Sequence, residues 1–374
     1  MIIRRITRSF EKNRNELLGL GLGRYPAFVR SNVQPEQIPV FQFHDLSTAT
    51  LEPVLAFLAN NEYHTLTGDE YYERILGALP GRDREVMLTF DDGYASLYTV
   101  AFPILKKLKQ KAVAYIVPGR VHDGEKHTNE NDMNGVLCNW LQIGEMHDSG
   151  VIDFQSHSFY HHSIAISPKI CDFNRPGLSA SFLQSDLAPI RHRHMDGRDP
   201  DLHCPWGLPI YEWNARMCGS PAYIPNTQVE DLCIRFVAEN GGEAFFDARD
   251  WRRQLLQIMT SGQEKYASRQ FETPERQQNA ILTDLRQSKR AIESRLPGSR
   301  VRHFCFPWYR GSALAVEISH EAGYVSNAWG SLLPKYVKND ERQPVPIPRL
   351  PPRYIHRLPG VGRKPLWKLF NGAV

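Results

Sequence analysis

Two adjacent carboxylates, Asp91 and Asp92, follow an apolar run and precede a glycine. An unpaired carboxylate is heavily penalised when it is buried, so such a pair at the end of a strand needs a partner, and a metal ion is the obvious one. Taken alone, the segment also fits a tight turn that caps the next helix. The pair therefore predicts either a metal site or a turn.

A histidine-rich segment, residues 157–162, follows a second apolar run. His157 and His161 are spaced so that both can reach one ion, and neutral imidazole nitrogens are common metal ligands. With Asp92 they make a three-ligand set that leaves one coordination position open, which is typical of a catalytic rather than a structural metal. His162 competes with His161 for the ligand role, and we favour His161.

These residues lie where parallel strands are predicted to end. The apolar runs Val86–Phe90, Ala112–Val117 and Val151–Gln155 are typical of buried strands, and helical patterns alternate with them. The alternation resumes at Thr273, which caps a predicted helix, and ends with a strand at Val345–Ile347. Such alternation predicts a parallel α/β fold, which builds its active site at the strand ends.

The alternation stops over residues 163–272, which are rich in Pro, Arg, His and Trp, and we interpret this stretch as an insertion. Its segment Arg191–Arg198 fits a solvated loop, a second metal site or a phosphate clamp. Four aromatic residues fit either sugar stacking or a small core of the insertion itself: Trp206, Tyr211, Trp213 and Tyr223. We thus predict an N-terminal extension (1–35), a barrel domain (36–356) that carries the insertion, and a basic C-terminal tail (357–374).

Composition and charge narrow the class of protein. The 374 residues are 41% hydrophobic and carry a net charge of +4, which is too mild to favour nucleic-acid binding. The six cysteines form no C-x-x-C pair, and no signal-peptide pattern or membrane-spanning run occurs, so we expect a cytoplasmic protein. The tail mixes Arg and Lys with Trp, Leu and Phe, which fits a solvated tail or a peripheral contact at the inner membrane face.

Taken together, Thr89–Gly93 and His157–His161 closely resemble the first two motifs of the NodB-type polysaccharide deacetylases, carbohydrate esterase family 4. Three further segments are similar to stretches of that family: Leu108–Val117, Trp140–Gly150 and Phe304–Gly311. The resemblance covers about residues 36–162 and 273–350. It implies a distorted (β/α)7-like barrel, the NodB homology domain, with a long insertion.

The resemblance also implies roles. Asp92, His157 and His161 would hold a divalent ion, with Zn2+ favoured over Co2+, Ni2+ or Fe2+, and Asp91 would be the general base. This division is sound, because a carboxylate keeps its basicity only if it does not also ligate the ion. The late histidine motif that supplies the acid in most of the family is absent, but Phe41–Asp45 resembles the circularly permuted branch that deacetylates poly-N-acetylglucosamine, which implies His44 as the general acid.

The third motif departs from the commoner form. Phe306 stands where many family members have an arginine that orients the base, so either Arg310 serves or no arginine does. Pro307 and Trp308 fit an apolar wall for the acetyl methyl group or a core position. We assign Pro307, Trp308, Tyr309 and Arg310 as candidate substrate-binding residues.

The sequence therefore predicts a metal-dependent hydrolase that removes an N-acetyl group from an amino sugar in a glycan, a glycolipid or a nucleotide-sugar precursor. A deformylase or cyclic-amide hydrolase of the same fold is the alternative among hydrolases. A non-catalytic carbohydrate-binding protein is the alternative from another class. The expected partner is an N-acetylated sugar, and a long insertion favours a covered pocket that suits a short or activated one.

Overall fold

The computed structural model describes residues 16, 18–124, 137–178, 205–265, 270–337 and 343–370. The segment Arg191–Arg198 lies outside these residues. The chain divides into two compact units: one comprises residues 1–159, 285–309 and 319–374, and the other residues 160–284 and 310–318.

The described strands, in chain order, are β1 (Val40–Phe43), β2 (His64–Thr65), β3 (Glu85–Asp92), β4 (Ala112–Ile116), β5 (Ile152–Ser156), β6 (Ser163–Phe173), β7 (Pro209–Ala215), β8 (Tyr223–Ile224), β9 (Gln270–Phe271), β10 (His303–Cys305), β11 (Ser326–Ala328) and β12 (Val345–Ile347). The α-helices with described bounds are α1 (Ala27–Arg30), α2 (Thr48–Asn60), α3 (Gly68–Ile75), α4 (Phe102–Leu108), α5 (Trp140–Asp148), α6 (Thr227–Glu239), α7 (Trp251–Lys265), α8 (Pro274–Arg295) and α9 (Ala313–Glu321).

Eight strands of the first unit form one parallel sheet. Its order is β1-β3-β4-β5-β10-β11-β12, and the short β2 pairs with β3. Leu350, just beyond β12, pairs back with Phe41 of β1, and its carbonyl accepts a hydrogen bond of 3.0 Å from the Gln42 amide. This last pairing closes the sheet into a barrel, as the sequence predicted.

The central strands form because their side chains are apolar on both faces, which is typical of parallel sheets covered by helices. Every residue of β4 is buried, and so is every residue of β3 except Asp92. The barrel interior includes Val40, Met87, Val113 and Ile347. A packed interior of this kind fixes the strand ends rigidly, and the strand ends carry the polar residues.

The helices that connect the strands begin at well-defined caps. Ser47, Thr67 and Asn139 start α2, α3 and α5 with capping boxes, in which side chains satisfy amides that have no partner within the helix. Helix α8 begins at Pro274 directly after Thr273, as predicted. These caps fix where each loop between strand and helix begins.

The second unit is more regular than the sequence suggested. Strands β6 and β7 form an antiparallel pair, β8 pairs with β9, and α6 and α7 are full helices. Residues 163–272 thus hold regular strands and helices, although these do not alternate strand with helix as the barrel elements do. The signal was present in Val229, Cys233 and Val237, which are buried at helical spacing on α6.

The aromatic residues of the second unit belong mainly to its own core. Tyr211 and Tyr223 are buried in one cluster, and Trp206 packs against it. Because Tyr211 and Tyr223 are buried among apolar side chains, the core interpretation holds for these two rings. Trp206 and Trp213 are half-buried, so sugar stacking by them stays a prediction.

The predicted boundary at residue 357 cuts through a folded segment. Arg357 is buried, and its Nε donates a 2.7 Å hydrogen bond to the carbonyl of Val29. Arg363 donates to the carbonyl of Ser31 at 2.7 Å. The tail is therefore ordered along this stretch, because these guanidinium groups satisfy main-chain carbonyls at the end of α1. Within the parts of the chain that the structure describes, no helix has the length and hydropathy needed to cross a bilayer.

His356 makes the stability of the fold dependent on pH. Its ring packs edge-on against Phe57 of α2, with 5.3 Å between ring centroids, and its Nδ1 has no hydrogen-bond partner among the described residues. Burial, and after it the charge of Lys364, lowers the pKa of His356 to about 4. An unfolded histidine titrates near pH ~6.5, so between these values the unfolded chain binds the extra proton and stability falls as the pH falls.

We expect His356 to cost about 2 kcal/mol of unfolding free energy between about pH 7 and pH 5. Urea denaturation at both pH values measures this loss, and the substitution His356→Phe should remove it. His147→Phe, at a half-exposed position of α5, is the matched control and should leave the pH dependence unchanged. An unaltered pH dependence in His356→Phe would contradict the assignment.

Candidate active site

Polar side chains gather at the carboxyl ends of the barrel strands. His44 follows β1, Asp91 and Asp92 end β3, His157 follows β5, and Arg349 follows β12. Parallel strands place these ends at one rim, which is where α/β barrels build their active sites.

The loops at this rim hold strained backbone. Of the eight described residues other than glycine with positive φ, five lie at the end of β3 or in the loops after β5 and β10: Asp92 (68°), Ser158 (68°), His161 (50°), Trp308 (51°) and Tyr309 (57°). Such conformations are costly for residues with a Cβ, and they persist where the surrounding structure enforces them, often at functional sites. The clustering is independent support for a site at this rim.

Asp91 and Arg349 form a buried, bidentate ion pair. Arg349 Nη1 donates to Asp91 Oδ1 at 2.6 Å, and Nη2 donates to Oδ2 at 2.8 Å. Asp91 is 1% exposed and Arg349 is 0% exposed. The planar guanidinium fixes both the position and the orientation of the carboxylate.

Further hydrogen bonds fix the position of the Arg349 guanidinium itself. Its Nε donates to the carbonyl of Trp329 at 3.0 Å, Nη1 also donates to Thr89 Oγ1 at 3.0 Å, and Nη2 also donates to Cys305 Sγ at 3.0 Å. All five N–H groups of the guanidinium are therefore engaged, as a buried arginine requires.

Sequence reasoning missed Arg349 and considered only Arg310 for this role. Arg310 instead donates to Asn214 Oδ1 at 2.5 Å, and the arginine that orients Asp91 is Arg349. The available signal was a lone arginine directly after an apolar strand, where burial demands an acidic partner.

The ion pair also sets the protonation state of Asp91. Burial by itself raises the pKa of this carboxyl, but the charge of Arg349, its hydrogen bonds and the neighbouring His157 and His44 together outweigh burial and hold the pKa well below its ordinary value. Asp91 is consequently ionised at neutral pH. Burial raises the pKa of the neighbouring Cys305 thiol well above its usual range, so that group is neutral.

His157 presents one ring nitrogen toward Asp92. Its Nδ1 lies 2.8 Å from the carbonyl oxygen of Cys305, and a carbonyl can only accept, so Nδ1 carries the proton. The lone pair is then on Nε2, which lies 3.5 Å from Asp92 Oδ1. A histidine whose far nitrogen donates to a carbonyl is a typical metal ligand.

Among the described residues, two groups have ligand atoms that lie within 4.8 Å of one another: Asp92, His157 and His161 in one, and Asp91, His157 and Cys305 in the other. The second group fits an ion poorly, because both oxygens of Asp91 are engaged by Arg349 and the ligand form of cysteine is the thiolate. The first group fits a divalent ion such as Zn2+, with nitrogen and oxygen donors and an open position.

The choice between the two neighbouring histidines favours His161. It is the member of the candidate metal group and lies only four residues along the chain from His157. His162 Nδ1 instead lies 3.7 Å from Asp284 Oδ2.

His44 approaches Asp91 from the barrel's first strand. Its Nε2 lies 3.7 Å from Asp91 Oδ2 and 3.2 Å from the hydroxyl of Tyr309, and its side chain is 46% exposed. Burial, and after it the charge of Asp91, raises the pKa of Tyr309, so this phenol keeps its proton. The imidazole is thus both accessible and oriented.

The four candidate substrate-binding residues differ in their burial and in the groups that they contact. Pro307 is buried, Trp308 is half-buried, and Tyr309 contacts His44 through its hydroxyl. Arg310 belongs to the second unit, where it binds Asn214. Substrate contact by these residues stays a prediction.

The fold and this rim define the class as an α/β-barrel domain with a buried carboxylate beside a candidate Asp-His-His metal-ligand group. Residues 78–188 match the family model described as polysaccharide deacetylase. This part of the chain is therefore similar to a polysaccharide deacetylase domain.

Curated relatives match part of the chain. The poly-beta-1,6-N-acetyl-D-glucosamine N-deacetylase of Escherichia coli (strain K12) is 30% identical over 125 residues, which cover 32% of this chain and 19% of that protein. The enzyme of the same name from Staphylococcus aureus (strain MRSA252) is 29% identical over 127 residues, covering 34% of this chain and 41% of that protein. The matches thus span less than half the length of these relatives.

Solved structures share the fold over most of the chain. A de-N-acetylase from Aggregatibacter actinomycetemcomitans superposes with a TM-score of 0.51 at 16% identity, covering 84% of this chain and 93% of that one. The BpsB deacetylase domain from Bordetella bronchiseptica gives 0.51 at 17% identity, covering 86% and 98%. They support the predicted barrel fold.

Breaking the Asp91–Arg349 pair should destabilise the protein strongly. We expect Arg349→Met to lower the free energy of unfolding by about 3–5 kcal/mol, because it leaves a buried carboxylate without its counter-charge. The double substitution Asp91→Asn with Arg349→Met should cost less than the sum of the two single losses by more than about 1 kcal/mol. Urea denaturation measures the free energy of unfolding of all three variants. The control is Arg310→Met at an exposed position, which should lower that free energy by less than about 0.5 kcal/mol. Additive losses would show that the pair is not coupled.

The two neighbouring histidines should differ in their effect on metal affinity. His161→Ala should weaken Zn2+ binding by more than about a hundredfold, because it removes one of three ligands, whereas His162→Ala should leave affinity within a few-fold of the wild type. Competition titration against a chromogenic chelator measures both. The reverse pattern would assign the ligand role to His162.

Proposed function

We propose that this protein hydrolyses the N-acetyl group of an amino sugar in a glycan, a glycolipid or a nucleotide-sugar precursor. The observation that most directly supports this proposal is the ionised Asp91, which Arg349 holds in place. This carboxylate lies beside the candidate metal group of Asp92, His157 and His161, and it is 3.7 Å from His44. A carboxylate base, a metal-ligand group and an accessible histidine are the parts that amide hydrolysis requires.

Zn2+ is the ion we propose for the site, with Co2+, Ni2+ or Fe2+ as its alternatives. When bound, such an ion supplies Lewis-acid chemistry that makes water more acidic and polarises the amide carbonyl. Asp92, the Nε2 of His157 and His161 would hold it.

The protein's own groups divide the proton transfers between them. Asp91 accepts a proton from the attacking water as the oxygen bonds to the amide carbon, and Arg349 keeps the carboxylate aimed during this step. His44 donates a proton to the amine nitrogen as the carbon–nitrogen bond breaks, which releases acetate and a free amino sugar. The hydroxyl of Tyr309, 3.2 Å from His44 Nε2, orients that imidazole.

The names of the relatives supply the first substrate to test. The E. coli and S. aureus proteins are named for poly-beta-1,6-N-acetyl-D-glucosamine, and we extend that linkage to this chain as part of the proposal. The cytoplasmic compartment stays a prediction from the sequence.

The decisive assay is acetate release by Zn2+-loaded protein from β-1,6-linked N-acetylglucosamine oligomers, N-acetylated nucleotide sugars and lipid-linked sugars. Asp91→Asn and His44→Ala should each lower the rate by about a hundredfold to ten-thousandfold, which is the usual contribution of a general base or acid. His147→Ala, far from the rim on α5, is the histidine control and should keep the wild-type rate.

The outcomes separate the candidate functions. Formate released from N-formyl sugars, without acetate from N-acetyl sugars, would indicate a deformylase. Ring opening of a cyclic amide would indicate a cyclic-amide hydrolase of the same fold. No turnover of any substrate by Zn2+-loaded protein that still binds the sugars would replace the proposal with a carbohydrate-binding role.

A further inference from the structure

Two segments far apart in the sequence interlock on the first unit and form what we call the basic platform, which comprises Glu16, residues 18–31 and residues 353–370. Tyr354 donates to Glu16 at 2.5 Å, and the rings of Tyr25 and Tyr354 lie 5.7 Å apart. The contacts of Arg357 and Arg363 with the carbonyls of residues 28–31 complete the junction. The platform is therefore one folded surface rather than two loose ends.

The charge of this platform is one-sided. It contains seven arginine and lysine residues and a single acidic residue, Glu16, which is buried and already binds Arg353. The basic residues are Arg24, Arg30, Arg353, Arg357, Arg363, Lys364 and Lys368. Because no further carboxylate lies within the platform, its positive charge faces outward at Arg24, Arg30, Lys364 and Lys368, which are all exposed.

Large apolar side chains are exposed among these charges. Trp367 is 61% exposed and Val361 is 88% exposed, and Leu22 of the N-terminal segment is 65% exposed. Lys368 Nζ lies 5.5 Å from the centroid of the Trp367 ring, so the cation and the aromatic ring are immediate neighbours. A tryptophan and aliphatic side chains beside lysines match a membrane interface, where apolar groups enter the acyl boundary and cations remain among the headgroups.

We propose that the basic platform docks the protein on an anionic lipid bilayer. The sequence suggested such a contact for the C-terminal tail; the structure joins that tail to residues 18–31, which add Arg24, Arg30 and the exposed Leu18 and Leu22. A bilayer is favoured over a nucleic acid because exposed Trp367, Val361 and Leu22 would gain from an apolar phase, which a phosphate backbone does not offer. This docking is independent of the proposed deacetylase activity, since it needs neither the rim residues nor an acetylated sugar.

Co-sedimentation of the full chain with lipid vesicles tests the docking. We expect binding to vesicles of phosphatidylcholine with phosphatidylserine, little binding to phosphatidylcholine alone, and a sharp loss as the ionic strength rises. The double substitution Lys364→Gln with Lys368→Gln should weaken binding about twentyfold, because each lysine near an anionic surface strengthens binding by a factor of about four to five. Trp367→Ser should weaken it about tenfold, whereas Trp367→Phe should retain most of it.

Matched controls lie elsewhere on the first unit. Lys106→Gln with Lys107→Gln on α4 makes the same change of charge, and Leu141→Ser on α5 removes an exposed apolar side chain, so neither variant should alter vesicle binding. Thermal melting checks that each variant is folded. Failure of the wild type to bind anionic vesicles would overturn the proposal. So would binding that the platform variants and the control variants weaken equally, or RNA binding as tight as vesicle binding with no effect of Trp367→Ser.

Discussion

The bidentate ion pair between Asp91 and Arg349 is the interaction on which the rest of the site depends. The carboxylate is 1% exposed and the guanidinium 0% exposed, so neither charge is tolerable without the other. The ion pair keeps Asp91 ionised and fixes the orientation of its carboxylate. Asp92, the next residue along the chain, faces His157 instead. Two adjacent carboxylates thereby acquire different chemistry from different partners.

This ion pair exists only because the barrel closes. Asp91 and Arg349 are 258 residues apart in sequence, and they meet because Leu350 pairs with Phe41 beside β3. His44, just beyond β1, lies 3.7 Å from Asp91 because β1 pairs directly with β3. Base, positioning arginine and candidate acid therefore depend on two pairings made by β1, one with β3 and one with Leu350, so the fold and the site would be lost together if β1 were displaced.

The sequence predicted what is encoded locally and missed what closure creates. Asp91, Asp92 and His157 were recognisable because they lie at or just beyond the ends of apolar strands, and Thr273-Pro274 indicated the start of α8. Arg349 was missed because its partner is visible only in three dimensions. The choice between His161 and His162 rested on positions one residue apart, which spacing alone separates weakly. The helices of the second unit were overlooked because composition masked the buried spacing of Val229, Cys233 and Val237.

The central claim is that a divalent ion binds at Asp92, His157 and His161 while Asp91 stays paired with Arg349. Anomalous diffraction at the zinc absorption edge, from crystals of Zn2+-loaded protein, measures this directly. We predict one peak at about 2.0–2.2 Å from Asp92, from His157 Nε2 and from His161, with both Asp91–Arg349 hydrogen bonds intact. A peak bonded to Asp91, His157 and Cys305, with Arg349 displaced, would contradict it.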